Sequence, residues 1–111
     1  MNYRNLRVAK LIKAELSPIL MKEIEFEGAL ITINEVDVYK DILNARIKLG
    51  VLPADKAAEA LKIIEKRASF LRGLLLKKIN IKPMPRLSFE IDRGAEAADD
   101  FDKAFLKSKN E

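Results

Sequence analysis

The chain contains no cysteine, no histidine and no tryptophan among its 111 residues, and only 6% of it is aromatic. Without cysteine there is no disulfide framework, no thiolate metal site and no cysteine nucleophile, which fits a reducing compartment, so the cytoplasm is the expected location. Without histidine the commonest general base and transition-metal ligand are missing too, and catalytic readings lose their usual chemistry. Ser17, Ser69, Ser88, Ser108 and Thr32 have no activating partner in the sequence. No apolar run approaches the roughly 20 residues that cross a bilayer. The opening stretch MNYRNLRVAKLIKAEL carries charges every few positions, where a signal peptide has an uninterrupted apolar region. Neither a membrane span nor export is expected.

What is present is a well-mixed globular composition, 49% hydrophobic and 34% charged, on a chain long enough to bury one core without staples. The net charge of +4 is unevenly spread: from Lys62 to Arg86 there are eight bases and one acid, a local charge of +7, so the rest of the chain carries −3. Such segregation makes a positive field that attracts polyanions. The bland alternative is a solvated lysine-rich face with no partner.

From Arg4 to about Lys22 the residues Leu6, Val8, Ala9, Ile12, Leu16, Ile19 and Leu20 fall on one side of a helix, with Arg4, Arg7, Lys10 and Ser17 opposite. Pro18 removes a hydrogen bond and clashes with the Ala14 carbonyl, so a kink or new helical start is expected near Leu16 to Ser17. In ALITINEVDVYKDILNARIKLGVL, Ile31 and Ile33 alternate in one phase and Val36 and Val38 in the other, the slip of a β-bulge or of a strand buried on both faces. After a turn over Lys40 to Asn44, Ala45, Ile47, Leu49 and Val51 form the packed side of a second strand, and the two strands form a hairpin. Ala57, Ala58, Leu61, Ile64 and Ala68 repeat at helical spacing, with Asp55 suited to the dipole at the start. A third helix carries Phe70, Leu71, Leu74, Leu75 and Lys78 towards a stop at Lys82 to Pro85, with Phe70 in core phase. Leu87, Phe89 and Ile91 then alternate as a third strand. The order α-β-β-α-α-β predicts an α+β domain over 1–92, a three-stranded sheet with helices packed on one face. Residues 93–111 form an acidic tail, a short helix on Ala98, Phe101 and Phe105 or a mobile end.

This order, with ITINEVDVYKDILNARIKLGVLP and FLRGLLLKKINIKPMPRLSFEIDRG, resembles the ribosome-binding factor A family over about residues 4–94. The specific parts are the strand pair around the Asp41 turn, the Phe70-Leu71-Arg72 step, and the Pro85-x-Leu87-x-Phe89-x-x-Asp92 ending. The resemblance implies a KH-like fold of the second topological type that binds small-subunit rRNA and the free small (30S) subunit during late maturation. The family lacks the GxxG loop by which ordinary KH domains clamp a backbone. The four glycines here, Gly28, Gly50, Gly73 and Gly94, form no GxxG. In place of that loop the family has an interhelical kink, which in this chain falls at Ala68 and Ser69, with Ser69 where the family usually has glycine. Where family members often carry Asp-Pro-Arg between first helix and first strand, this chain reads Glu25-Phe26-Glu27-Gly28, which leaves an rRNA contact there in doubt.

The expected rRNA-binding surface is Arg4, Arg7, Lys10, Lys66, Arg67, Arg72, Lys77, Lys78, Lys82 and Arg86, acting on shape and phosphate backbone with little aromatic stacking. The competing reading for Arg72 is a fold-bound arginine tied to Glu90 or Asp92. Asp99, Asp100 and Asp102 are the best carboxylate cluster, read as solvated tail and not as a metal site. No cofactor, metal, membrane or small-molecule substrate is expected, and the chain is taken as a monomer. The alternatives from another class are a protein-interaction adaptor for an acidic partner and a homodimer formed through the exposed edge of the hairpin.

Overall fold

The computed structural model of the chain describes residues 3–92. Helix α1 spans Arg4–Glu23, strand β1 Leu30–Val38, strand β2 Asn44–Leu52, helix α2 Ala57–Lys66, helix α3 Ala68–Lys78 and strand β3 Arg86–Ile91. A 3-10 turn, Ala54–Lys56, leads into α2. The sheet order is β1-β2-β3, with β1 antiparallel and β3 parallel to the central β2. A parallel pair needs a crossover, and α2 with α3 supplies it. The predicted α+β order and the helices on one sheet face are both found. The tail over 93–111 lies outside the described residues.

The core follows from period two meeting period 3.6. On β2, Ala45, Ile47 and Leu49 are fully buried; on α1, Ile12 and Leu16, on α2, Ala60 and Ile64, and on α3, Leu71 and Leu75 are equally so. The predicted bulge is present as a register shift between Ile33 and Glu35, which lets Ile31, Ile33, Val36 and Val38 all point inward. In the β1–β2 turn Ile42 adopts φ +58° with its side chain buried. A β-branched residue there costs about 1–2 kcal/mol of backbone energy, offset by burial worth about 2–3 kcal/mol. The Asp41 carboxylate accepts from the Leu43 N–H at 3.0 Å and holds the turn.

Three expectations are corrected. α1 runs unbroken through Pro18, so of the two outcomes expected there the new start near Leu16 to Ser17 is not found. Pro18 and Ala14 are exposed, so water reaches the freed Ala14 carbonyl, the Ser17 hydroxyl donates to Lys13 O at 2.7 Å, and burial of Leu16, Ile19 and Leu20 holds the last turns. Leu6 is 59% exposed: at about 100° per residue it stands roughly 110° from the centre of the buried stripe. α3 ends at Lys78, well before Lys82, because Ile79 turns extended and buries its side chain.

The open sheet face carries its own charge network. Arg46 of β2 lies 3.7 Å from Asp37 and 3.3 Å from Glu90, and Lys48 lies 3.3 Å from Glu35 and 3.7 Å from Asp37. Burial works to lower the Lys48 pKa, but the Glu35 hydrogen bond and the Glu35 and Asp37 charges outweigh it and raise the value above the ordinary one. A lysine that holds its proton more tightly when folded stabilises the fold below its unfolded pKa of about 10.4, and that stability is lost as pH rises through the folded value. Thermal unfolding followed from pH 8 to 11 should therefore show stability falling at the alkaline end, and Lys48→Met should flatten that fall.

Candidate nucleic-acid interface

The ten basic residues singled out from the sequence divide into three groups. The first gathers at the end of the molecule where three segments meet. Arg4 Nη2 donates to Lys82 O at 3.4 Å, Asn5 Nδ2 to Val38 O at 3.3 Å, and Arg86 N–H to Leu43 O at 2.9 Å. These bonds join the start of α1, the β1–β2 turn and the 79–85 segment. Around them stand Arg4, Lys82 and Arg86, with Lys77 and Lys78 on the last turn of α3, where lysine also suits the helix dipole. Lys77, Lys78, Lys82 and Arg86 are exposed and have no ion-pair or hydrogen-bond partner for their side chains among the described residues. Lys40 and Tyr39, both exposed, belong to the adjoining turn and were not anticipated. Only the pairing that folds the hairpin back to Arg86 brings Lys40 there.

The second group lies on the opposite flank of α1, where Arg7 and Lys10 border a groove against β1. Lys13, also missed from sequence, completes that border and donates to Asn34 O at 3.1 Å. Its helical phase beside Lys10 was the available signal.

The third group is at the α2–α3 junction, about 15 Å along α3 from Lys78. The helical break falls on Arg67, which has φ −103° and ψ 11°, and Ala68 and Ser69 open α3 behind it. Arg67 N–H is shared between Ile63 O and Ile64 O, and Leu71 N–H still reaches Arg67 O at 2.9 Å, so the chain bends without a loop. Lys66 is exposed and unpaired among the described residues. Arg67 instead donates to Glu23 O at 2.7 Å, satisfying a carbonyl at the end of α1, and stacks over the Phe70 ring at 4.6 Å. Phe70 is 46% exposed, not part of the core as its apolarity suggested.

Arg72 is committed to the fold, although not to Glu90 or Asp92. Its Nη2 donates to Met84 O at 2.8 Å and its Nε to Pro85 O at 3.1 Å. Glu90 pairs with Arg46, and Asp92 accepts from Asn34 at 3.1 Å. The guanidinium fork thus pins the proline-bracketed segment to α3 and aims Lys82 and Arg86. Changing Arg72 to Gln should cost about 2 kcal/mol in urea unfolding, since two charge-assisted bonds to poorly hydrated carbonyls are lost. Arg72→Lys should recover only part of it, lacking the fork.

Among the described residues no group of three or more acidic side chains could hold a metal ion, and no helix is long and apolar enough to cross a membrane. The Asp99, Asp100 and Asp102 cluster lies outside the described residues. What the geometry offers is fixed, unpaired cations on a small rigid frame.

The α-β-β-α-α-β order with a mixed three-stranded sheet defines an α+β domain of the arrangement the family resemblance implied. The particular family is ribosome-binding factor A, to which this chain belongs: the model described as "Ribosome-binding factor A" matches residues 4–105. A ribosome-binding factor A of Saccharophagus degradans is 34% identical over 97 residues, covering 84% of this chain and 76% of that protein. One from Ralstonia nicotianae is 34% identical over 94 residues with the same shares. In fold, the crystal structure of ribosome-binding factor A from Thermus thermophilus superposes with a TM-score of 0.71 at 18% identity, over 82% of this chain and 98% of that one. The Thermus thermophilus factor as fitted into the cryo-EM map of a 30S complex gives 0.67 at 20% identity, over 78% and 92%.

Proposed function

We propose that this protein is a non-enzymatic assembly factor that binds the small ribosomal subunit and its rRNA during late maturation and precursor processing, as a monomer and without a cofactor. The observation that carries the reading is the cluster of exposed Lys77, Lys78, Lys82 and Arg86 at one end, none of them ion-paired among the described residues, with Arg4 beside them. Family membership supports it, as does the fold shared with a factor fitted into a map of a 30S complex. Lysines on separate short segments fit phosphates at several points and read no base edges, so recognition rests on RNA shape and backbone. Arg7, Lys10 and Lys66 extend the footprint; Arg67 and Arg72 position it.

The test is co-sedimentation of the purified protein with free small and free large subunits across a salt series. Binding to the small subunit alone, weakening steeply with salt, is the expected outcome. Equal sedimentation with both subunits, or with neither at low salt, would sink the reading.

A further inference from the structure

The groove between α1 and the edge of the sheet has no role in the reading above. It is lined by Tyr3, Leu6, Ala9 and Val36, with Arg7, Lys10 and Lys13 on the helix side and Glu35 and Asp37 on the strand side, and its open volume is about 530 Å³. β1 is an edge strand. Tyr39 N–H bonds to Asn44 O, which fixes the alternation of the ladder: Tyr39, Asp37 and Glu35 bond towards β2, while Val38 and Val36 turn their main-chain groups outward. Asn5 covers Val38 O and Lys13 covers Asn34 O, leaving the Val36 N–H and C=O between them facing the groove. The carboxylates nearby are already engaged, since Glu35 and Asp37 pair with Lys48 and Arg46. With three bases against two acids that are themselves ion-paired, the net charge of the lining is positive, over an apolar floor with an open backbone edge.

The chain supplies a segment of matching chemistry. Glu96 to Asp102, EAADDFD, holds four acids and no base around Phe101. It also starts within reach: β3 lies across β2 from β1, and its end is tied back to β1 where Asp92 accepts the Asn34 side-chain hydrogen bond at 3.1 Å. The seven to ten residues from Asp92 to Asp99 and Asp102 can span up to about 25–35 Å. The rim from Lys13 back to Arg7 covers only about 9 Å of helix. We infer that in the free protein the acidic segment around Asp99, Asp100 and Asp102 docks in the α1–β1 groove, with its carboxylates on Arg7, Lys10 and Lys13 and Phe101 over Leu6, Ala9 and Val36. Two of the bases it covers, Arg7 and Lys10, belong to the proposed RNA footprint, so docking would make the tail a competitor for phosphate. The docking itself does not depend on that footprint being right.

Because the chain has no cysteine, Ala104→Cys accepts a single nitroxide on the full-length protein. The amide signals of Leu6, Ala9, Lys10, Lys13 and Val36 should broaden more than those of α2 and β3, independently of protein concentration. A companion labelled protein carrying Asp99→Asn, Asp100→Asn and Asp102→Asn leaves residues 3–92 untouched, and in it the selective broadening should disappear. Even broadening over the whole surface, broadening centred elsewhere, broadening that grows with concentration, or persistence in the triple asparagine protein would each overturn the assignment.

Discussion

Glutamine at Lys77, Lys78, Lys82 and Arg86 together is expected to remove about half of the salt sensitivity of subunit binding while leaving the fold intact. Each cation that neutralises a phosphate contributes roughly 0.7–0.9 to the slope of log affinity against log salt. Four contacts therefore account for a slope of about 3. Over a fourfold rise in salt the parent protein should lose about a hundredfold more affinity than the variant. The four side chains are exposed and make no bond or ion pair among the described residues, so the unfolding free energy should change by less than about 0.5 kcal/mol. Unchanged slope in a folded variant would move the interface elsewhere, with the Lys66 junction next in line. A parallel Arg72→Lys protein separates the two roles: it should lose stability but keep the slope.

That contrast marks where sequence reading stopped. The +7 stretch from Lys62 to Arg86 announced itself by composition, and the alternation Ala45, Ile47, Leu49, Val51 announced the central strand, because both signals are local. The bulge was equally legible from the slip between Ile33 and Val36. Arg67 and Arg72 were not separable from their neighbours, since their acceptors are main-chain carbonyls at Glu23, Met84 and Pro85, and every residue type carries one. A search for acidic partners pointed Arg72 towards Glu90 and Asp92, which the sheet had engaged otherwise. Lys13 and Lys40 gain their places only after α1 settles against the β1 edge and the hairpin folds back to Arg86. Pro18 misled for a related reason: its cost depends on whether water can reach the Ala14 carbonyl, and that depends on which side of α1 is buried.

The neighbouring residues Phe70 and Leu71 should give opposite results although phenylalanine is the larger. Leu71 of α3 is fully buried against α1 and the sheet, in line with Leu75 one turn on. Truncation to alanine loses its transfer energy and leaves a cavity that a sheet-backed core cannot close, at about 3 kcal/mol. On a domain of this size that corresponds to a melting point lower by roughly 10–20 °C. Phe70 stands roughly 120° from the Leu71–Leu75 stripe at about 100° per residue, half-exposed, with the Arg67 guanidinium over one face of its ring. Phe70→Ala forfeits that contact and part of an exposed ring, about 1 kcal/mol or less. Arg67 keeps its bond to Glu23 O, so the end of α1 stays capped. Urea unfolding of the two variants decides the matter: a Phe70→Ala loss as large as that of Leu71→Ala would mean that the α2–α3 junction packs its aromatic ring inward and that the helical break at Arg67 is wrongly placed.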